Sequence, residues 1–252
     1  MQELLDGCIA LAREAGDAIM AIYNSGDFEV QLKSDKSPLT KADIAANQII
    51  VAGLQKLSRV PIISEEGSHD SFGSPEFWLV DPIDGTKEFI KRNGEFTVNI
   101  GLVKDGEPVL GVVYVPAKDV LYAGAAGVGA YMVDRANGTF AIKAEFTGDV
   151  PVVVASRSHR DPNLDAFLAE LGDHTEINMG SSLKLCLVAE GRATVYPRFA
   201  PTMLWDTAAA DAVLRAAGGV TTDTTGRPLM YKPTETLRNP FFIAKTANFK
   251  QA

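Results

Sequence analysis

The chain holds only two cysteines and three histidines among its 252 residues. Cys8 and Cys186 both fall in apolar helical patterns, which marks them as small buried hydrophobes rather than a disulfide pair. His69, His159 and His174 lie far apart and match no metal-ligand spacing, so nothing points to zinc. An excess of basic residues is also missing. The net charge of −8 repels nucleic acid polymers and leaves no electrostatic footprint for them. A small phosphorylated ligand remains compatible, because bound divalent ions and a local basic cluster can reverse the field within one cleft. No apolar run approaches the roughly 18 residues needed to cross a bilayer. The start, Met1-Gln2-Glu3-Leu4-Leu5-Asp6, lacks the basic segment of a signal peptide and reads as the first turn of a helix. The expected compartment is therefore the cytoplasm. Internal repeats and low-complexity segments are absent too.

A hydrophobic fraction of 46% with 22% charged residues describes a globular chain with a sizeable core. Its length suits one large domain or two modest ones. Leu4, Cys8, Leu11, Ala12, Ala15, Ile19 and Ile22 recur at helical spacing, predicting a helix from Gln2 to Tyr23. A second helix is expected from Thr40 to Leu57, after the loop Ser34–Pro38. Strands follow at Pro61–Ser64 and Phe77–Val80. A hairpin alternates through Val98, Ile100 and Leu102, turns at Lys104–Glu107 and returns as Val109–Val115. Val120–Ala123 and Ala130–Val133 add further strands. This first part, residues 1–148, is helices followed by a run of strands, an α+β arrangement. Near Gly148-Asp149-Val150-Pro151 the rhythm changes. Strands at Val152–Ala155, Glu176–Met179, Ala193–Tyr196, Val220–Thr222 and Phe241–Ala244 alternate with helices at Asn163–Leu171, Ser181–Ala189 and Asp206–Ala217. Residues 149–252 therefore read as an α/β part, with an active site expected between the two parts.

The most informative stretch is Trp78-Leu79-Val80-Asp81-Pro82-Ile83-Asp84-Gly85-Thr86-Lys87-Glu88-Phe89. An apolar strand ends in two carboxylates, and Pro82 biases Asp81 toward an extended backbone. A turn after it is expected to bring Asp84 back beside Asp81, while Gly85 and Thr86 offer backbone N–H groups to an anion. Converging carboxylates beside an anion cradle call for hard cations such as magnesium. For a lone D-x-x-D the better reading is a strand ending in an Asx-type turn, with Asp84 bonding its own backbone; here the neighbouring residues argue against it. Glu65-Glu66, directly after a strand, either joins this pair or forms a solvated acidic loop. Thr40-Lys41-Ala42-Asp43 fits a helix capping box, and Asp206 fits an N-cap.

Glu65-Glu66, Asp81-Pro82-Ile83-Asp84-Gly85-Thr86 and Trp205-Asp206 together resemble, in order and distance, the three metal motifs of the inositol monophosphatase superfamily. Within it, Gly85–Thr97, Ser156-Arg157-Ser158-His159, Gly180-Ser181-Ser182-Leu183-Lys184 and Tyr196-Pro197-Arg198-Phe199 are similar to the bacterial 3′(2′),5′-bisphosphate nucleotidases. The likeness runs over nearly the whole chain, although Ser68–Glu76 looks shorter than in relatives. It implies a two-part, layered αβαβα sandwich. It implies one magnesium ion on Glu65, Asp81 and the Ile83 carbonyl, and a second on Asp81, Asp84 and Asp206. Glu65 is implied to help a third, weaker ion, and lithium is expected to inhibit. It further implies that the Thr86 hydroxyl, oriented by Asp43, positions and helps deprotonate an attacking water. For a bisphosphate nucleotide, the candidate contacts are Gly85, Thr86, Lys87, Arg157, His159, Gly180, Ser181, Lys184, Arg198 and Asp206. Lys91 and Arg92 are expected at the surface or in a hinge. The implied activity is magnesium-dependent conversion of 3′-phosphoadenosine 5′-phosphate to AMP and phosphate, recycling a by-product of sulfur assimilation. A sugar or inositol monophosphate phosphatase is the alternative, yet those enzymes usually carry Thr-Asn-Phe where this chain has Lys87-Glu88-Phe89. A non-catalytic sensor is a third reading, but it has no need of all six of Asp43, Glu65, Asp81, Asp84, Thr86 and Asp206. The resemblance also adds a peripheral place at the inner face of the cell membrane as an expectation.

Overall fold

The computed structural model describes residues 1–33, 37–67, 73–156, 162–233 and 236–249. The chain opens with α1 (Gln2–Ser25), the two-residue strands β1 (Gln31–Leu32) and β2 (Pro38–Leu39), and α2 (Lys41–Leu57). Next come β3 (Ile62–Ser64), β4 (Glu76–Asp84), the short helix α3 (Thr86–Ile90), β5 (Thr97–Lys104) and β6 (Glu107–Val115). Then β7 (Val120–Ala125), β8 (Gly129–Asp134) and β9 (Gly138–Ala141) complete a seven-stranded sheet in the order β3 to β9. The remainder is β10 (Val152–Ser156), α4 (Pro162–Leu171), β11 (Thr175–Met179), α5 (Leu183–Ala189), β12 (Val195–Arg198), α6 (Ala208–Ala216), β13 (Val220–Asp223) and β14 (Phe242–Lys245). Its five strands form a second sheet, ordered β11-β10-β12-β14-β13.

Side-chain alternation sorts these elements into layers. In β4, Trp78 and Val80 join Val98 and Ile100 of β5 against α1 and α2, while Phe77 and Leu79 face the opposite way. A strand covered on both faces must be apolar at successive positions, which is why Phe77-Trp78-Leu79-Val80 reads as an unbroken run. The opposite face packs on α5 and α6, which Tyr196, Phe242 and Ala244 of the second sheet cover in turn. Leu164, Phe167 and Leu168 of α4 pack on Val153 and Val195 on that sheet's outer face. The sequence-predicted αβαβα sandwich is therefore the observed one.

Three differences from the sequence reading have simple causes. β4 continues through Asp84 instead of turning after Val80, because a bulge absorbs the extra residue. α3 spans five residues, too few to show a helical period. All four residues of β9 are exposed, so this edge strand is held by pairing with β8 and carries no alternation.

Candidate metal and phosphate site

The β4 bulge creates the acidic pair. Asp81 lies opposite Asn99 and Asp84 opposite Thr97, with the register shifting between them. Three residue steps along β4 thus match two along β5. In a regular strand, residues three apart point to opposite faces, and the extra residue restores a common face. Asp81 Oδ1 accepts the Ile83 N–H at 3.0 Å, so the Asx-type bond belongs to Asp81, not Asp84. β3 runs parallel to β4, and the Glu65 N–H donates to the Val80 carbonyl at 3.0 Å. That bond carries Glu65 to the level of Asp81, whose pKa its negative charge raises. Glu65 is thus part of the cluster rather than of a solvated loop.

Asp206 arrives from the other part of the chain. Its carboxylate accepts the Met203 N–H at 2.8 Å, and Thr207, not Asp206, occupies the N-cap of α6. What places it is the seat of α6. Gly101, Gly111 and Gly124 stand side by side across β5, β6 and β7. A Cβ on Gly111 would lie 1.9 Å from the Ala209 carbonyl oxygen, so only glycine lets the helix backbone descend this far onto the sheet. Ala208, Ala209 and Ala212 supply the matching small surface, and Asp206 enters at the helix head.

Asp43 does two things at once. One oxygen accepts the Thr40 N–H at 2.8 Å and the Thr40 hydroxyl, completing the capping box of α2. The other accepts the Thr86 hydroxyl at 3.4 Å, which also lies 3.3 Å from the Ile83 carbonyl. Gly85 precedes Thr86 at φ 96°, a left-handed conformation in which a Cβ would crowd the Glu95 carbonyl at 3.1 Å. The tight turn aims Thr86 back at Asp43.

These acids raise one another's pKa. Burial pushes Asp81 well up, and the negative charges of Glu65, Asp84 and Asp206 push it further. Burial lifts Asp84 to about 6, opposed by Lys184 and by the Ser182 backbone N–H. Asp206 is pushed up to about 8 by burial and by Asp84. Asp43 is also raised by burial, against its bonds from Thr40. Opposite them, burial lowers Lys184 to about 8, although Asp84 favours its charge. A cluster this hostile to its own ionisation fits cations. Its donors are carboxylates and a backbone carbonyl, with no imidazole or thiolate, which is the chemistry of a hard divalent ion. Among the described residues no three such side chains already close into a metal cage. Of these acids, Asp84 and Asp206 line one cavity.

One cation is already there. Lys33, in the loop after β1, donates to Glu65 at 2.7 Å and also to Glu66. Burial opposes its charge, but the two carboxylates outweigh it and raise its pKa. Nothing in the sequence signals this partner, a lone lysine 32 positions upstream of Glu65.

The cavity beside the acids is lined by Asp84, Gly85, Ser181, Lys184, Arg198 and Asp206, among others, and by Glu88 rather than Lys87. Lys87 is exposed on α3. Lys184 Nζ donates to the Ser181 carbonyl at 2.5 Å and stands 5.7 Å from the centre of the Tyr196 ring. Arg198 donates to the Pro201 carbonyl at 3.2 Å, while its buried Nε has no partner among the described residues. The Gly180 N–H is committed to Glu95 at 3.0 Å. Arg157 and His159 lie outside the described residues. Also missed from sequence were Thr97 and Asn99, which bond Ser182 of the Gly180–Lys184 motif at the cavity floor. Their signal was the alternation Glu95-Phe96-Thr97-Val98-Asn99-Ile100, polar at every second place in a fully buried strand.

Comparison with known proteins gives the family. The chain is 49% identical over 244 residues to the 3′(2′),5′-bisphosphate nucleotidase CysQ of Escherichia coli (strain K12), covering 95% of this chain and 98% of the relative. The Haemophilus influenzae CysQ is 32% identical over 249 residues, covering 96% and 92%. The crystal structure of CysQ from Bacteroides thetaiotaomicron superposes with a TM-score of 0.88 at 43% identity, covering 99% of both chains. A Thermotoga maritima IMPase superposes at 0.78 with 26% identity, covering 98% of this chain and 93% of its own. Residues 1–248 match the inositol monophosphatase family, and the chain belongs to it.

Proposed function

We propose that this protein is a magnesium-dependent 3′(2′),5′-bisphosphate nucleotidase that hydrolyses 3′-phosphoadenosine 5′-phosphate to AMP and phosphate. The observation that carries the reading is one cavity lined both by the carboxylates Asp84 and Asp206 and by two cationic side chains, the buried Lys184 and the half-buried Arg198. A monophosphate is satisfied by the acidic side and its ions. A bisphosphate needs a second set of donors, and this cavity has it.

Glu65, Asp81, the Ile83 carbonyl, Asp84 and Asp206 are the groups to hold two to three magnesium ions, and Lys33 neutralises Glu65 and Glu66 at their edge. Bound magnesium supplies Lewis-acid polarisation and a clamp for in-line displacement at phosphorus. The chain's own contribution is positional. A water hydrogen-bonded to the Thr86 hydroxyl faces the phosphorus, and the proton it releases passes through that hydroxyl to Asp43. The buried Arg198 Nε has no partner among the described residues, so a phosphate oxygen there gains a charge-assisted bond without displacing an existing one. Lithium, small and singly charged, is expected to inhibit by replacing a weakly held ion. The cytoplasm is the proposed compartment; among the described residues no helix is long and apolar enough to cross a membrane.

The test is phosphate release from 3′-phosphoadenosine 5′-phosphate and inositol 1-phosphate with magnesium, in wild type, Lys184→Ala and Arg198→Ala. Each charge-assisted contact contributes about 1.5–3 kcal/mol, roughly ten- to hundredfold in kcat/KM. Both variants should lose that factor with the bisphosphate and far less with inositol 1-phosphate. A wild type that prefers inositol 1-phosphate, or variants that lose both substrates equally, would overturn the nucleotide assignment.

A further inference from the structure

The floor of the cavity carries buried polar bonds that the proposed chemistry does not use. Ser182 is 3% exposed, and its Oγ stands 2.8 Å from Thr97 Oγ1 and 2.8 Å from Asn99 Oδ1. Thr97 and Asn99 are both fully buried. In the β4–β5 register they lie directly across from Asp84 and Asp81. Ser182 also lines the cavity together with Asp84, and its backbone N–H favours the charged form of that carboxylate. Just before it, Ser181 adopts a left-handed backbone at φ 49°, a conformation that a non-glycine residue keeps only where its surroundings enforce it. Buried hydroxyls and amides are costly unless bonded, so a seam of three such groups beneath two acids needs a reason beyond filling space.

We propose that Ser182 is a positioning residue. Its side chain, gripped by Thr97 and Asn99, ties the cavity floor to the strand neighbour of Asp84 and so sets the direction in which that carboxylate faces the cavity. Asp84 belongs to β4 and Asp206 to the head of α6, so the two acids come from different parts of the chain. The Ser182 bonds tie the segment before α5 to β5, and thereby hold Asp84 in a defined relation to that second part. The inference rests on the metal reading of the acids. A competing explanation is that the bonds only dock one part on the other, as the Gly180–Glu95 bond does.

Magnesium binding to substrate-free protein separates the two. Calorimetric titration with magnesium chloride is run on wild type, Ser182→Ala, Ser182→Thr and Thr97→Val, beside melting curves in chelator. Loss of a group that orients a metal ligand typically weakens affinity about 10–100-fold. Ser182→Ala should fall in that range, Ser182→Thr should recover wild-type affinity by keeping the hydroxyl, and Thr97→Val should weaken binding in the same direction. In turnover, Ser182→Ala should need correspondingly more magnesium for half-saturation, with kcat largely restored at excess metal. If Ser182→Ala does not fold, Thr97→Val carries the test, since it keeps the side-chain shape and leaves Ser182 bonded to Asn99. Folded variants that bind magnesium as wild type does, with only the melting temperature lowered, overturn the proposal in favour of docking. Ser182→Thr as weak as Ser182→Ala overturns the role of the hydroxyl. A wild type that binds no magnesium at all would instead sink the metal reading itself.

Discussion

Asp43→Asn keeps the shape of the side chain and changes one oxygen to an amide nitrogen. One Asp43 oxygen now serves Thr40, accepting its N–H at 2.8 Å, and the other accepts from Thr86 at 3.4 Å. Asparagine has one acceptor oxygen and one donor amide. A backbone N–H can only donate, so the oxygen must stay at Thr40 and the amide must face Thr86. The Thr86 hydroxyl then turns its hydrogen to the Ile83 carbonyl, 3.3 Å away, and its route to a carboxylate is lost. General base assistance contributes about 10²–10⁴-fold, so kcat should fall by that factor. At roughly 1.36 kcal/mol per tenfold this is about 2.7–5.4 kcal/mol of barrier. Stability should barely change. The cap bond survives, and the charge lost near the α2 N-terminus is worth about 0.3–1 kcal/mol. Relief of a buried carboxylate offsets part of that, because burial raises the Asp43 pKa. The net effect stays within about 1 kcal/mol, or roughly 2–4 °C in Tm for a chain of this size. Steady-state phosphate release, melting curves and a magnesium titration measure all three quantities. Turnover within tenfold of wild type in a normally melting Asp43→Asn protein would refute the catalytic role and leave Asp43 a capping-box residue only.

Asp84→Asn removes charge at the shared cluster while keeping shape, and should cost at least about 100-fold in kcat, the scale of one key electrostatic group; near-normal turnover in a folded variant contradicts that. Gly111→Ala places a methyl 1.9 Å from the Ala209 carbonyl and must lift α6 from the sheet. Overpacking of this kind costs about 1–3 kcal/mol, so Tm should drop and magnesium binding weaken together, whereas an unchanged Tm would show that α6 is not seated by this glycine. In metal-free protein, Asp84 at about 6 and Asp206 at about 8 lie above their ordinary value of 3.8, with Asp81 also raised. The folded state therefore holds more protons than the unfolded one from about pH 4 to 8, and stability falls as pH rises through that window. Melting in chelator should give a higher Tm near pH 5 than near pH 8, with magnesium flattening the difference; equal values in chelator would speak against the raised set.

The features legible in the sequence were those that act over a few residues. The double-sided apolar run Phe77–Val80, the proline between two acids, the capping box at Thr40 and the changed rhythm after Gly148 each depend on local geometry or on burial repeated along one element. The ordered motifs added the family and the layered sandwich. Sequence could not choose between the capping and hydroxyl-orienting jobs of Asp43, because the second partner, Thr86, is 43 positions away. The structure has a bond for each, one on either oxygen. Nor could it distinguish Asp206 as a cap from Asp206 as a cluster member, since that depends on how deeply a glycine row lets α6 descend. Lys33 left no signal at all, for an ion pair needs only proximity and imposes no pattern on either segment. Lys87, expected at the site, is exposed while its neighbour Glu88 lines the cavity, for a similar reason. Which of two neighbours on a five-residue helix faces the cavity is set by the turn at Gly85 and by packing of the helix as a whole. The chain's local chemistry determined its elements and most of its acidic donors, while the relative placement of distant elements decided which of those donors meet and what counters their charge.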